Sequence, residues 1–373
     1  MIPLSSPDIT EAERKAVQDV LKTPTLSMGP RISAFEKGMA KLANRKYAVA
    51  VNSGTSALHL ALSALGIGDK DEVIAPSFSF IASSNCILYV GAKPVFVDIE
   101  KDTFNIDPAK IEKAIRPGRT KAILVVDVFG EPAAWDEILA IARKYRLKVI
   151  EDSAEAIGSW YKGKKCGGFG DVSIFSFYPN KQMTTGEGGM VLTDDRKIAE
   201  LCRSMTNQGR KQGKGKWLEH VRLGYNYRMT EMQAALGLAQ LKRLPQMLRK
   251  RAAAASVYSR LLSQEKRVIL PASSAGAKRS WFVYVVMLAP SFKRSHRDRI
   301  VRLLAKRGVQ SSAYFEPIHL QPFYRQAFGF KLGRFSHTEW VGDRTIALPF
   351  SSVLKPQQQK AVVKIFRESM DQL

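Results

Sequence analysis

The stretch VIEDSAEAIGSWYKGKKCGGFGDVSIFSFYPNKQMTTGEGGM, Val149 to Met190, decides how this chain of 373 residues is read. It opens on a short β-branched strand that ends in two carboxylates, Glu151 and Asp152. A Gly-rich turn region leads to a second strand, Val172 to Phe177, and then to a lone lysine, Lys181. The loop that follows, Thr184-Thr185-Gly186-Glu187-Gly188-Gly189, holds too much glycine for a helix. A lysine just past one strand end and a carboxylate just past its neighbour suit a Schiff-base lysine and a partner for a pyridinium nitrogen. Pyridoxal phosphate requires that pair. An exposed turn lysine has the same local appearance, so the reading rests on what the remaining chain supplies.

Upstream, Lys46–Val51 forms a strand that runs into Asn52-Ser53-Gly54-Thr55-Ser56 and then a helix with Leu58, Leu62 and Leu65 at helical spacing. Glycine lets the backbone approach an anion, Thr and Ser offer hydroxyls, and the first helical N–H groups are free, so a phosphate belongs there. Plain N-capping by Thr55 or Ser56 needs no ligand and is the commoner use of such residues. His59 lies inside this helix and reads as packing. Strands then alternate with helices as far as Asp152, which indicates a mostly parallel sheet with helices on both faces. In such sheets ligands sit beyond the carboxyl ends of the strands. Ser53–Ser56, Ser77–Phe80, Asp127–Glu131, Asp152 and Ser176 all fall at such ends.

At the N-terminus, Thr10-x-x-Glu13 reads as a capping box opening a helix to about Leu21, with a second helix around Ser33–Ala43. Beyond Gly189–Thr193 come a helix over Ile198–Met205 and a polar loop, Asn207–Lys216. Its Gly213-Lys214 pair lacks the spacing of a P-loop. Asn226 and Arg228 precede a strongly apolar helix, and Pro245 is expected to break or kink the stretch that continues to about Leu262. Past Ser280 the pattern changes to α+β. A strand WFVYVVML leads to a helix capped at Ser295 and ended by Gly308, then to a strand VQSSAYF. A long loop containing His319 and helices near Thr338–Thr345 and Pro356–Ser369 close the chain. The expected division is a large domain over 1–245 and a smaller one over 246–373.

Composition excludes several classes. Hydrophobic content of 45% and aromatic content of 9% are ordinary for a globular protein. No signal peptide and no uncharged window of membrane-spanning length is evident, which points to the cytoplasm. Cys86, Cys166 and Cys202 are widely spaced and form no CxxC, against a disulfide framework and against a metal site. The formal net charge is +24, and Leu241–Arg307 alone carries 17 bases against two acids. Such a field attracts anions. No zinc finger or RNP-type pattern accompanies it, so solvated basic helix faces are expected rather than specific nucleic-acid binding.

The segments SGTSALHLAL, IEDSAEAIGS, GDVSIFSFYPNK, TTGEGGMV and GYNYRMTEMQAALGLAQL resemble the DegT/StrS family of sugar aminotransferases, within the fold-type I pyridoxal-phosphate enzymes. The likeness covers nearly the whole chain, PIHLQPFY included, and is greatest to the perosamine synthase-like branch. It implies that Lys181 forms the internal aldimine and carries the proton, and that Asp152 bonds the pyridine nitrogen. Gly54, Thr55 and Ser56 would hold the phosphate beside Ser176, while Phe80 would stack on the ring. Asn226 and Arg228 would reach the neighbouring subunit's cofactor, making the active unit a homodimer; His319 would lie near the sugar nucleotide. Glu155 stands beside the ring where many members carry Gln, and Tyr178 where others frequently have His; both bear on substrate handling. A branch with His in place of the lysine performs dehydration, which Lys181 argues against.

The implied reaction passes an amino group, with glutamate as the expected donor, to a nucleotide-diphosphate keto sugar at C4 of a 4-keto-6-deoxy hexose. Alternatives are a 3-keto sugar, a cyclitol ketone, or a non-catalytic anion-binding or regulatory role on the same scaffold.

Overall fold

The computed structural model describes residues 1–211 and 218–373. The Gly213-Lys214 pair lies outside the described residues. The upstream alternation builds a seven-stranded sheet from β1 (Tyr47–Val51), β2 (Glu72–Pro76), β3 (Lys93–Val97), β4 (Thr120–Val126), β5 (Lys148–Asp152), β6 (Val172–Ser176) and β7 (Gly189–Thr193). Their spatial order is β1-β7-β6-β5-β4-β2-β3. Neighbours run parallel except where β7 meets β1 and β6. Helices cover both faces, so the strands read as apolar runs and Leu124, Val125 and Ile150 are fully buried. Register aligns Val126 with Asp152 and Asp152 with Ile174, so β4, β5 and β6 end on one edge. Pairing of Val51 with Gly189 brings the Ser53–Gly54 turn to that same edge.

The C-terminal part is α+β as expected. Val268–Ile269, Tyr284–Leu288 and Thr345–Leu348 make an antiparallel sheet, which packs with the helices Arg294–Lys306 and Pro356–Met370. Several sequence expectations change here. Thr345–Leu348 pairs with Tyr284–Met287 as a buried strand, and the helix placed there ends at Gly342. The VQSSAYF segment forms no continuous strand and makes only isolated pairs, Val309 with Ile2 and Ser312 with Ala347. The helix expected to start at Ser295 is capped instead at Lys293, whose N–H donates to His296 Nδ1 at 3.1 Å. Asp298 turns to Arg297.

Pro245 does not break its helix, which runs unbroken from Glu231 to Leu262. The proline faces solvent, where water can satisfy the carbonyl it leaves without a donor. Buried Leu244 and Met247 hold the turns on either side. The expected boundary at 245 and 246 therefore falls inside a helix. This long helix is anchored at its start by Glu231, whose buried carboxylate accepts N–H bonds from Gly29, Arg31 and Ile32 and so caps the helix Pro30–Ala43. Among the described residues no helix is long and apolar enough to cross a membrane.

Beneath the active edge lie two fully buried carboxyls, Asp127 and Glu151. Ser153 Oγ stands 2.7 Å from an oxygen of each. One hydroxyl can donate only once, so the second contact needs a proton on a carboxyl. Burial supplies the reason to keep it, with the charge of Asp127 adding to the effect at Glu151: both groups are pushed above the usual carboxylate range, Asp127 to about 6. With Cys166 the pair has metal-ligand spacing. Its oxygens, however, are already engaged by Trp135 Nε1 and the N–H groups of Ala133, Gly167 and Phe169. Because the folded pKa is the higher one, stability is fully present below pH 4 or so and declines as pH rises toward about 6. Asp127→Asn, which mimics the protonated form, is expected to gain about 2–3 kcal/mol relative to the parent across that window. Denaturant midpoints measured against pH check this; parallel pH profiles would contradict it.

Candidate active site

The loop after β6 puts Lys181 at the sheet edge. Lys181 N–H bonds to Tyr178 O at 2.9 Å, while Thr184 Oγ1 and Thr185 N both donate to Phe177 O. Gly186 takes φ +81°, and a Cβ on Gly188 would stand 2.2 Å from Thr185 Oγ1. The glycines read from the sequence are therefore needed to fold the loop this tightly. The Lys181 side chain is 12% exposed. Its Nζ lies 3.4 Å from Glu155 Oε1 and 4.0 Å from the centre of the Phe282 ring.

Asp152 is almost fully buried and accepts from Ser83 Oγ at 2.7 Å and from Ala154 N–H at 3.1 Å. Burial raises its pKa, while those two bonds and the charge of Lys181 draw it down. Glu155 is raised by burial against the same lysine charge, and its Oε2 accepts from Phe129 N–H at 2.8 Å. Both carboxylates thus sit where a negative charge is costly without a cation beside it.

These groups line one cleft of about 520 Å³ together with Ser53, Gly54, Thr55, Phe80, Ser176 and Tyr178. Ser53 caps the helix Gly54–Ala64, and the side chain of Ser176 packs so closely that a Cβ on Gly54 would lie 2.8 Å from its Cβ. A helix N-terminus with hydroxyls around it has the donor set for a phosphate. Phe80 is 60% exposed and Tyr178 49%, two aromatic faces open to a ligand.

The cleft departs from the sequence expectation at several residues. Ser56 is buried and donates its hydroxyl to Asn52 Oδ1 at 2.7 Å, so it serves the cap and not the cleft. His319 is fully buried: Nδ1 meets Ser77 Oγ at 2.7 Å and Nε2 meets Glu339 at 3.0 Å, a structural histidine that cannot touch a sugar. Asn226 and Arg228 do not line their own chain's cleft; Arg228 bonds Asn207 and borders a separate depression with Gly29 and Arg203. Sequence reasoning missed Ser83, Asn180, Phe282, Tyr314 and Phe315, which all line the cleft. Ser83 carried no motif, and the last three come from a part of the chain a hundred or more positions away.

The family description DegT/DnrJ/EryC1/StrS aminotransferase matches residues 7–367. A GDP-perosamine synthase of Caulobacter vibrioides is 42% identical over 325 residues, 87% of this chain and 86% of that one. Among solved structures, Helicobacter pylori PseC, an aminotransferase of pseudoaminic acid biosynthesis, superposes with TM-score 0.94 at 31% identity over the full length of both chains. The pyridoxal-phosphate form of the putative sugar aminotransferase Spr1654 from Streptococcus pneumoniae gives TM-score 0.94 at 29% identity, covering 100% of this chain and 99% of that one. The chain belongs to the DegT/DnrJ/EryC1/StrS aminotransferase family and is a pyridoxal-phosphate-dependent sugar aminotransferase of fold type I.

Proposed function

We propose that this enzyme moves an amino group from glutamate to C4 of a nucleotide-linked 4-keto-6-deoxy hexose, as a cytoplasmic homodimer that shares its active sites. The observation that carries the reading is the Lys181 amine, held between Glu155 and Phe282 in the cleft that also contains buried Asp152. The likeness to GDP-perosamine synthase supports the acceptor.

Pyridoxal phosphate, when bound, supplies an aldehyde for amines to condense with and a ring that takes up the electron pair left by a departing Cα proton. The residues present fit that group. Gly54, Thr55 and Ser176 would hold the phosphate against the helix N-terminus. Asp152 would keep the pyridine nitrogen protonated, and a cation bonded to it offsets the cost of burying its charge. Phe80 would cover one ring face. Lys181 Nζ would take the proton from Cα and return it at C4′, reversing this order with the second substrate. Glu155 would receive the amine whenever it is free, at the 3.4 Å contact already present. Tyr178, exposed at the cleft wall, would meet the sugar. Asn226 and Arg228, outside their own cleft, would serve the partner's phosphate site.

Lys181→Met is expected to lose the yellow absorbance of bound pyridoxal phosphate and to lower amination about 10³-fold or more, measured by mass on a panel of keto-sugar nucleotides with glutamate. Wild-type activity confined to a free cyclitol ketone would overturn the substrate assignment. Glu155→Gln should lose the acid limb of the pH–rate profile that comes from neutralising a buried carboxylate; an unchanged limb places that titration elsewhere. Mixing Lys181→Met with Arg228→Met subunits should restore activity, because each mixed dimer then contains one native site. Activity no higher than the sum of the two separate variants argues against sharing.

A further inference from the structure

Arg251 carries a guanidinium whose position is not explained by any ion pair. It sits on the long helix, is 2% exposed, and has no carboxylate within salt-bridge distance among the described residues. All its hydrogen bonds go to main-chain oxygens. Nη2 donates to Lys181 O at 2.9 Å and reaches Asn180 O at 3.4 Å; Nη1 donates to Phe282 O at 3.0 Å and reaches Trp281 O at 3.4 Å. Nε has no partner, and the Phe350 ring lies 5.7 Å from the guanidinium carbon. Burial lowers its pKa to about 10, which still leaves it charged at neutral pH.

Burying a cation without a counter-ion costs several kcal/mol, and an apolar side chain at this position would avoid that cost. The return is geometric. A planar fork can bind two chain segments at fixed separation, which an ammonium cannot do. The segments it joins bear the reactive amine and the aromatic ring on which that amine rests, Lys181 and Phe282. They are a hundred residues apart in sequence. Gln182 reinforces the same junction by donating to Ser280 Oγ at 2.9 Å.

We propose that Arg251 is a positioning residue, whose two-pronged grip on the carbonyls of Lys181 and Phe282 aims the lysine amine at the cofactor aldehyde. This rests on the reading of Lys181 as the cofactor-bearing lysine. In the covalent step the amine nitrogen displaces the aldehyde oxygen, which leaves as water, and no redox partner is involved.

The test uses the full-length apoprotein and two ligands. Pyridoxal phosphate reports covalent capture through the shift of its absorbance to longer wavelength when the Schiff base forms, the colour change to be followed, whereas pyridoxamine phosphate has no aldehyde and binds without the lysine. For Arg251→Lys, which keeps the charge but loses the fork, colour should develop roughly tenfold more slowly while pyridoxamine phosphate affinity stays within about twofold. Arg251→Met should be slower still; where it fails to fold, Arg251→Lys decides. Colour at the parental rate in either folded variant overturns the proposal. So does a parallel loss of pyridoxamine phosphate affinity, which marks a general structural role. Lys181→Met that still turns yellow at the parental rate would instead sink the assignment of the lysine itself.

Discussion

Two carboxylates buried at the end of a parallel strand need a positive charge beside them, and much of the architecture follows from supplying it. Asp152 and Glu155 are nearly closed to solvent, so neither can rely on water to stabilise its ionised form. Lys181 answers from the loop after the next strand, which a tight glycine turn with no room for a side chain at Gly188 then leads back into the sheet. The parallel register that ends β4, β5 and β6 together makes this meeting possible. Pyridoxal phosphate suits the same arrangement, because its ring nitrogen is a cation when protonated and its phosphate is an anion for the opposite wall.

The large sheet was legible because local chemistry and global position agree there. The strands expected at Val149–Asp152 and Val172–Phe177 form as Lys148–Asp152 and Val172–Ser176, short, β-branched and bounded by turns, with Asp152 the last residue of one and Lys181 in the loop beyond the other. The Thr10–Glu13 capping box and the Gly189–Thr193 strand also form as the pattern indicates. The smaller unit was harder to read. Thr345–Leu348 is a four-residue strand whose only signal is burial against Tyr284–Met287, and no local pattern reports a partner sixty residues away. His319 failed as a ligand for a related reason. A histidine in a loop looks available until the fold closes Ser77 and Glu339 around its two nitrogens.

The basic segment shows a similar effect of folding on a sequence property. Counted along the chain, Leu241–Arg307 is a dense run of cations. Folded, Arg251, Arg279 and Arg297 turn inward. Arg279 pairs with fully buried Glu131 at 3.0 Å, and Arg297 reaches Glu316 and the Gly342 carbonyl. Part of the charge that reads as an anion-attracting surface is internal fastening. Arg243 is likewise held by Asp8 and Glu13, and the bases that stay exposed make a surface that attracts anions over long range.

The unbroken helix through Pro245 works as a ruler. From Glu231, which grips the start of Pro30–Ala43, to Arg251, which grips the lysine loop, it spans 20 residues, or about 30 Å at the α-helical rise. A rod of that length with a polar clasp near each end sets the distance between an N-terminal helix and the reactive amine. The amine is therefore indexed to a remote part of the molecule, and a disturbance at the Gly29–Ile32 turn has a stiff path by which to reach it.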